Sequence, residues 1–390
     1  MTRITAQRLR GAIALAAVAA TSLALAACST TATEEPAATP SESAPAATPQ
    51  EESFLDLVTQ PAASYPMPTE PIEGVEEFAG GTVFYIPITL RAPTFVATQA
   101  ALEEAFRAVD ITVQSCPADG NPANIASCAD QAIAADALAI ITDAWPYQMG
   151  AEALTKARNA GLPVVVTNQG PNEQDFPADE TLAYIPSGAP GMNKGIFHWI
   201  AEDSGGDAVI LISRSADGYW SSKFMADAIE ELPTICPDCT VAATVDISTA
   251  TQAQLQGNIA AELISNPDIE YLVTDFAQYI PQATGAIQDS GRTDVKYLTG
   301  SASLGAIQGV AGGSFAGVAA EGTAFIGWQQ ADTVLRLLTG TPVPEHGLDD
   351  APVRLFTKDT LPENLTEEAE LSGEWFGPVS FKDDFKALWQ

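Results

Sequence analysis

Histidine and basic charge are scarce in this chain of 390 residues: there are two histidines, His198 and His346, and 17 Lys+Arg against 50 Asp+Glu, for a net charge of -33. Two imidazoles starve most His-based zinc sites and Ser-His-Asp machinery of parts. So acidic a surface disfavours phosphate backbones, and no nucleic acid partner is expected. Charged residues make up only 17% of the chain and hydrophobic ones 46%, which excludes disorder throughout. The length leaves room for two to three domains at about 150 residues each. Beyond residue 28 no segment approaches the ~18 uninterrupted apolar residues that a spanning helix needs.

The N-terminus is the exception. Arg3, Arg8 and Arg10 precede an apolar run from Gly11 to Ala27, the order of charge and hydropathy found in an export signal. The run ends in Leu25-Ala26-Ala27-Cys28, which resembles the lipobox of bacterial lipoproteins. That resemblance implies a signal peptide over 1–27, a lipidated Cys28, and an extracytoplasmic protein anchored to the cell membrane. From Ser29 to Glu52 the chain uses only Ser, Thr, Ala, Pro, Glu and Gln, too little apolar surface to offset the entropy of ordering. Residues 28–80 therefore read as a flexible tether, in which Phe54, Leu55 and Leu57 suggest one short packed turn.

Past residue 80 the hydropathy alternates. Short β-branched runs (Val83 to Leu90, Ile111 to Gln114, Ala137 to Thr142, Pro163 to Thr167) are separated by amphipathic stretches near Val96 to Ala108, Ile125 to Ala135 and Gly150 to Ala160. A second series follows Gly205-Gly206, with strands predicted at Ala208 to Ser213, Val241 to Val245, Tyr271 to Thr274, Lys296 to Thr299 and Phe315 to Ala319. Continuous apolar strands separated by helices are the signature of parallel sheets covered on both faces. The expected fold is α/β, with two similar doubly wound parallel-sheet lobes. Ligands of such sheets sit beyond the carboxyl ends of the strands.

Pro93-Thr94-Phe95 after the first strand, Thr274-Asp275 followed by Gly285 and Asp289-Ser290-Gly291, and the late helix Gly327-Trp328-Gln329-Gln330-Ala331-Asp332 are similar to the type I periplasmic binding proteins. Within that family the likeness is to the ribose- and galactose-binding solute receptors of ABC importers. The resemblance implies a hinge of three strands near Tyr184 to Ser187, Glu321 to Thr323 and Pro352. It places 81–185 and 322–351 in an N-lobe, and 186–321 and 352–390 in a C-lobe. It also implies a monomer that binds a small polar ligand, most simply a carbohydrate, delivers it to an ABC permease, and needs no cofactor or metal.

Hydroxyl-rich ligands call for carboxylates and amides that form paired hydrogen bonds, and for aromatics that stack. The strand ends offer Arg91, Thr94, Phe95, Asp143, Trp145, Asn168 and Gln169 in the N-lobe. In the C-lobe they offer Arg214, Tyr219, Trp220, Lys223, Asp275, Ser301 and Glu321. Trp145 and Trp220 are expected in loops, and His198 on a helix surface or in the core. Two departures from the ribose-binding pattern bear on ligand identity: Ala92 stands where that group has Asn, and Asn168-Gln169 where it has an Asp-Arg pair. Losing a bidentate guanidinium removes a geometrically demanding contact, so a nucleoside or amino compound stays open beside other sugars.

With Cys28 lipidated, Cys116, Cys128, Cys236 and Cys239 remain, and in an oxidising compartment disulfides are the expectation. Pairing Cys116 with Cys128 and Cys236 with Cys239 would keep each bridge inside one lobe. Enzymatic activity is not expected. Gly312-Gly313-Ser314-Phe315-Ala316 lacks the last glycine of a nucleophile elbow, and Asp143 with Asp275 reads as a pair of hydrogen-bond acceptors rather than as glycosidase carboxylates. A sensor of the same fold, signalling to a membrane receptor, is the alternative.

Overall fold

The computed structural model describes residues 53–171, 174–248, 251–347 and 351–390; the export signal, Cys28 and the chain to residue 52 lie outside the described residues. Helix α1 (Phe54–Thr59) comes first. It is closed by a capping box in which the Ser53 hydroxyl accepts the Asp56 N–H and the Asp56 carboxylate accepts that of Ser53.

The first lobe is built from β1 (Thr82–Pro87), α2 (Pro93–Arg107), β2 (Thr112–Ser115), α3 (Pro122–Ala134), β3 (Ala139–Asp143), α4 (Ala151–Asn159), β4 (Val164–Thr167) and β5 (Leu182–Ile185). The five strands run parallel in the order β2-β1-β3-β4-β5. Val83, Phe84, Tyr85 and Ile86 of β1 are all buried, which is why this strand reads as unbroken apolar sequence rather than as alternation. The second lobe contains α5 (Ala189–Asp203), β6 (Val209–Ser215), α6 (Tyr219–Ile235), β7 (Thr240–Ile247), α7 (Leu255–Ser265), β8 (Tyr271–Thr274), α8 (Ile280–Ser290), β9 (Lys296–Thr299), α9 (Leu304–Ala311) and β10 (Gly317–Glu321). After β10 come α10 (Thr323–Thr339), β11 (Val353–Thr357), α11 (Glu367–Ser372) and α12 (Phe381–Leu388). The second sheet has the order β11-β10-β9-β8-β6-β7 and is parallel except for β11, which pairs antiparallel with β10.

Three connections join the lobes: β5 to α5, β10 to α10, and α10 to β11. They are tied to one another. Glu321 Oε2 accepts the Gly188 N–H at 2.9 Å, and the Gly322 N–H donates to the Pro352 carbonyl at 2.7 Å. Gly188 has no room for a side chain, since a Cβ there would stand 2.8 Å from Val353 and 2.9 Å from the Glu321 carboxylate. Although it follows a strand of the second lobe, α10 packs on α2 and against β3, β4 and β5 of the first.

Both terminal segments differ from the sequence expectation. Residues 53–80 read as tether, yet Val58, Tyr65, Ile72 and Val75 are buried on the body. Helix α1 lies on α5 and β11 of the second lobe, whereas Tyr65 stacks on Phe325 of α10 with ring centroids 4.4 Å apart. Ile72 bridges the C-terminus, donating to Leu388 O at 2.7 Å and accepting from Gln390 N at 2.8 Å. Single anchors spaced this widely leave no periodicity for a sequence window to detect. The tail after β11, placed with the second lobe by the sequence reading, turns back so that α11 touches α2 and α12 packs on α10.

Two buried arginines hold these segments by their carbonyls. Arg354 donates to the carbonyls of Trp375 at 2.6 Å and Thr360 at 3.0 Å. Arg336 donates to the Glu70 carbonyl at 2.9 Å and to Asp332 at 2.7 Å, and Asp332 also accepts the Trp389 indole N–H at 2.9 Å. The four cysteines pair as Cys116–Cys128 and Cys236–Cys239, with Cα atoms 5.8 and 5.3 Å apart, each bridge inside one lobe.

Arg336→Met should strip Asp332 of its only ion-pair partner among the described residues while keeping most of the packing volume. The expected cost is about 3–5 kcal/mol of unfolding free energy, measured by urea denaturation. A loss below about 1 kcal/mol would show that the terminal segments do not depend on this anchor.

Candidate ligand-binding site

Parallel strands deliver all their carboxyl ends to one edge, and in both lobes the chain leaves that edge abruptly. Ala144, Asn168 and Ser301 follow β3, β4 and β9 and have φ of 60°, 57° and 48°. Left-handed backbone at non-glycine residues is costly and clusters where surrounding structure demands a tight turn, commonly at binding sites.

Three carboxylates stand at these strand ends. Asp143 closes β3 and is wholly buried; Tyr85 donates its hydroxyl to Oδ2 at 2.5 Å, and Asn168 Nδ2 donates to Oδ1 at 2.7 Å. Asp275 follows β8, is 5% exposed, and accepts the Ser215 N–H on Oδ2 at 2.6 Å. Its Oδ1, like the Asn168 Oδ1, is buried with no well-directed hydrogen-bond partner among the described residues. Glu321 closes β10 at the hinge and is 6% exposed. None of the three is in an ion pair among the described residues.

Burial sets their protonation. It pushes Asp275 up to about 7 against the pull of the backbone N–H of Ser215, and Asp217 adds to the rise. It pushes Glu321 up to about 7 against the Gly188 N–H, with the Asp143 charge contributing in the same direction. Asp143 is likewise raised by burial, and its hydrogen bonds from Tyr85 and Asn168 oppose the shift. Buried acids that have lost water without gaining a cation are primed to exchange hydrogen bonds with hydroxyl or amino groups.

The other residues singled out from the sequence divide into those on the seam between lobes and those that are not. Thr94 Oγ1 donates across the seam to the Ser301 carbonyl at 3.3 Å. Gln169 is buried beside Asn168, and Phe95 is half-buried in the first turn of α2. Trp220 sits in the first turn of α6, not in a loop, and its indole meets Gly170 of the first lobe. Arg214 is bound to Asp246 through two hydrogen bonds of 2.8 and 3.0 Å, which leaves its guanidinium little freedom for a ligand. Lys223 is engaged by Asp227 one turn along α6. Arg91 is exposed and bonds back to Thr89 Oγ1, and Tyr219 is 69% exposed.

Trp145 corrects the sequence reading. It is fully buried, donates its indole N–H to the Ile86 carbonyl at 2.7 Å, and packs among Ile125, Tyr147 and Leu154 as core. His198 is half-buried on α5, 5.2 Å from the Phe54 ring. Sequence reasoning missed Tyr85, whose hydroxyl reaches Asp143 from mid-strand, and Gly188, whose role depends on a residue far along the chain. Alternating side-chain direction in β1 was the one signal that could have turned Tyr85 toward β3's end.

The lobes meet closely. A cavity of about 10 Å³, bordered by Thr94, Ala302, Glu321 and Phe376, remains at the hinge side of the seam, room for about one water. A larger open hollow of about 660 Å³, lined by Glu104, Glu367, Glu368 and Lys382, lies over α2, α11 and α12, on none of the strand ends. No helix among the described residues is long and apolar enough to cross a membrane.

A family model described as the periplasmic binding protein domain matches residues 83–342. The chain belongs to that family. Its two α/β lobes are those of the type I fold, which agrees with the sequence expectation. Similar solved structures include the 5-methylthioribose transporter solute binding protein of Thermotoga lettingae, with TM-score 0.67, 17% identity, and coverage of 82% of this chain and 99% of that one. A Mycobacterium smegmatis protein in complex with β-D-fucofuranose has TM-score 0.63 and 18% identity, covering 76% and 97%. An ABC transporter solute binding protein of Agrobacterium vitis, bound with α-D-tagatopyranose, has TM-score 0.64 and 17% identity, covering 73% and 96%. No curated protein matches this periplasmic binding protein by sequence.

The raised carboxyls make the pH dependence of stability specific. Between about pH 4 and 7 the folded chain holds protons on Asp275 and Glu321 that the unfolded chain has released, so stability falls as pH rises through that window. Asp275→Asn should flatten the fall in melting temperature from pH 4 to 7. An unchanged slope would place the ionisation elsewhere.

Proposed function

We propose that this periplasmic binding protein is a lipid-anchored receptor that captures a small polar ligand, a sugar, between its lobes and presents it to an ABC permease. One observation carries the reading: Asp143, Asp275 and Glu321 are buried at the ends of parallel strands without ion-pair partners among the described residues, on the seam where the two sheets converge. Carboxylates in that state favour donors from ligand hydroxyls, and the seam is also where the hinge allows the lobes to part. Ligand binding would be a population shift, driven by contacts available only when the lobes are closed.

Support comes from the structural relatives, whose names and complexes involve methylthioribose, fucofuranose and tagatopyranose. Asp143, Asn168, Gln169, Asp275 and Glu321 form the proposed recognition set, with Thr94, Phe95, Trp220 and Ser301 at its border. Arg214, Lys223 and Arg91 are not part of it, because the first two are held by Asp246 and Asp227 and the third faces solvent. The reading is of a receptor and not an enzyme: Asp143 and Asp275 accept hydrogen bonds and move no atoms of the ligand. Cys28 supplies the anchor, and the family context an extracytoplasmic site of action.

Calorimetric titration with D-ribose, D-galactose, D-tagatose, D-fucose and myo-inositol tests the proposal. At least one should bind, raise the melting temperature by mass action, and be recovered unchanged. Asp275→Ala should weaken that binding about 10–100-fold, the worth of one or two charge-assisted hydrogen bonds. Silence from every sugar, or release of a product, would discard the reading.

A further inference from the structure

Gly170 and Trp220 face each other across the seam. Gly170 is buried in the turn after β4 of the first lobe, and Trp220 stands in the first turn of α6 in the second. A Cβ at residue 170 would lie within 2.5 Å of the Trp220 Cη2, with two more indole atoms as close. This glycine is not required by its backbone, because it is absent from the positive-φ residues. Its missing side chain therefore matters for space: an indole edge rests where any other residue would put a methyl group.

From this we infer that Gly170 and Trp220 form a latch specific to the closed state, with Trp220 as the residue that positions the lobes and Gly170 as its seat. The inference rests on the reading of the chain as a two-lobed receptor. The indole is backed on its own lobe by Phe224, at 5.5 Å and 34° between rings, and by Tyr219 edge-on at 5.3 Å. Such backing keeps a large apolar side chain in place when the opposite lobe withdraws. Across the same seam Thr94 Oγ1 donates to Ser301 O at 3.3 Å. The latch thus supplies apolar contact at one point of the seam while this polar contact serves another. Opening the lobes uncovers the indole edge that meets Gly170, and closing them covers that edge while Trp220 stays half-buried, so the contact favours the closed state alone.

The test uses the full chain labelled with 5-fluorotryptophan, its Trp220 fluorine resonance assigned with W220F, together with small-angle scattering. In the wild type the Trp220 resonance should show little solvent-isotope shift, and the scattering should be that of closed lobes. Gly170→Ala should give Trp220 a solvent-isotope shift and a larger radius of gyration. Gly170→Ala combined with Trp220→Ala should be no more extended than Trp220→Ala alone, because the added methyl then meets no indole. Trp220→Ala alone, which introduces no clash and preserves the glycine, controls for misfolding and should enlarge the radius without lowering solubility. The latch is overturned if Gly170→Ala leaves both signals at wild-type values, or if the double variant is more extended than Trp220→Ala alone. These readouts need no ligand, so a failure of every sugar to bind would remove the carbohydrate reading and leave the latch standing.

Discussion

A parallel strand can be followed by another parallel strand only after the chain has crossed back over the sheet, so all carboxyl ends collect on one edge and all helices on the faces. The seam between the lobes follows from having that constraint twice. β3 and β4 in one lobe, and β6, β8, β9 and β10 in the other, end on a common seam. The groups that cannot be satisfied inside either sheet gather there: three carboxylates, an amide, and three residues with left-handed backbone. The cost of burying those acids is spread over backbone N–H groups from Ser215 and Gly188, and over the side chains of Tyr85 and Asn168.

Glu321 links this edge to the hinge. It closes β10, carries part of the negative potential of the seam through its proximity to Asp143, and holds the first interlobe connection by the Gly188 N–H. If the proposed reading holds, a residue that both borders the cleft and ties hinge strands makes ligand contact and lobe geometry interdependent. Gly188 permits this by leaving its Cβ position to Val353 and the carboxylate. The buried Arg336 and Arg354 do comparable work behind the hinge, where they hold carbonyls of segments that arrive from opposite ends of the chain.

The alternation of strands and helices was legible because burial on both faces leaves continuous apolar runs, and because helices such as α7 repeat Leu255, Ile259 and Leu263 on one side. Asp143, Asp275 and Glu321 were legible for the same reason: once a strand is located, the polar residue at its carboxyl end is conspicuous. Trp145 misled, since its position just past β3 is compatible with either a cleft wall or an inward-pointing anchor, and only the carbonyl of Ile86 decides. Arg214 and Lys223 misled differently. Their charges were readable, but Asp246, which holds Arg214, is its neighbour only in the fold, whereas Asp227 stands four residues from Lys223 on one helix and the spacing already offered that pair.

The sequence by itself determined two α/β lobes and the edge on which polar chemistry collects, because these depend on local hydropathy and crossover topology; it left the pairing of the four cysteines open, and the fold closes them as Cys116–Cys128 and Cys236–Cys239. Tertiary structure alone decided that residues 53–80 are bound to the body, that the C-terminal helices return to the first lobe, and that Gly170 receives Trp220. Each of those rests on partners far apart in sequence, such as Tyr65 with Phe325 or Trp389 with Asp332, and no local period or spacing names so distant a partner.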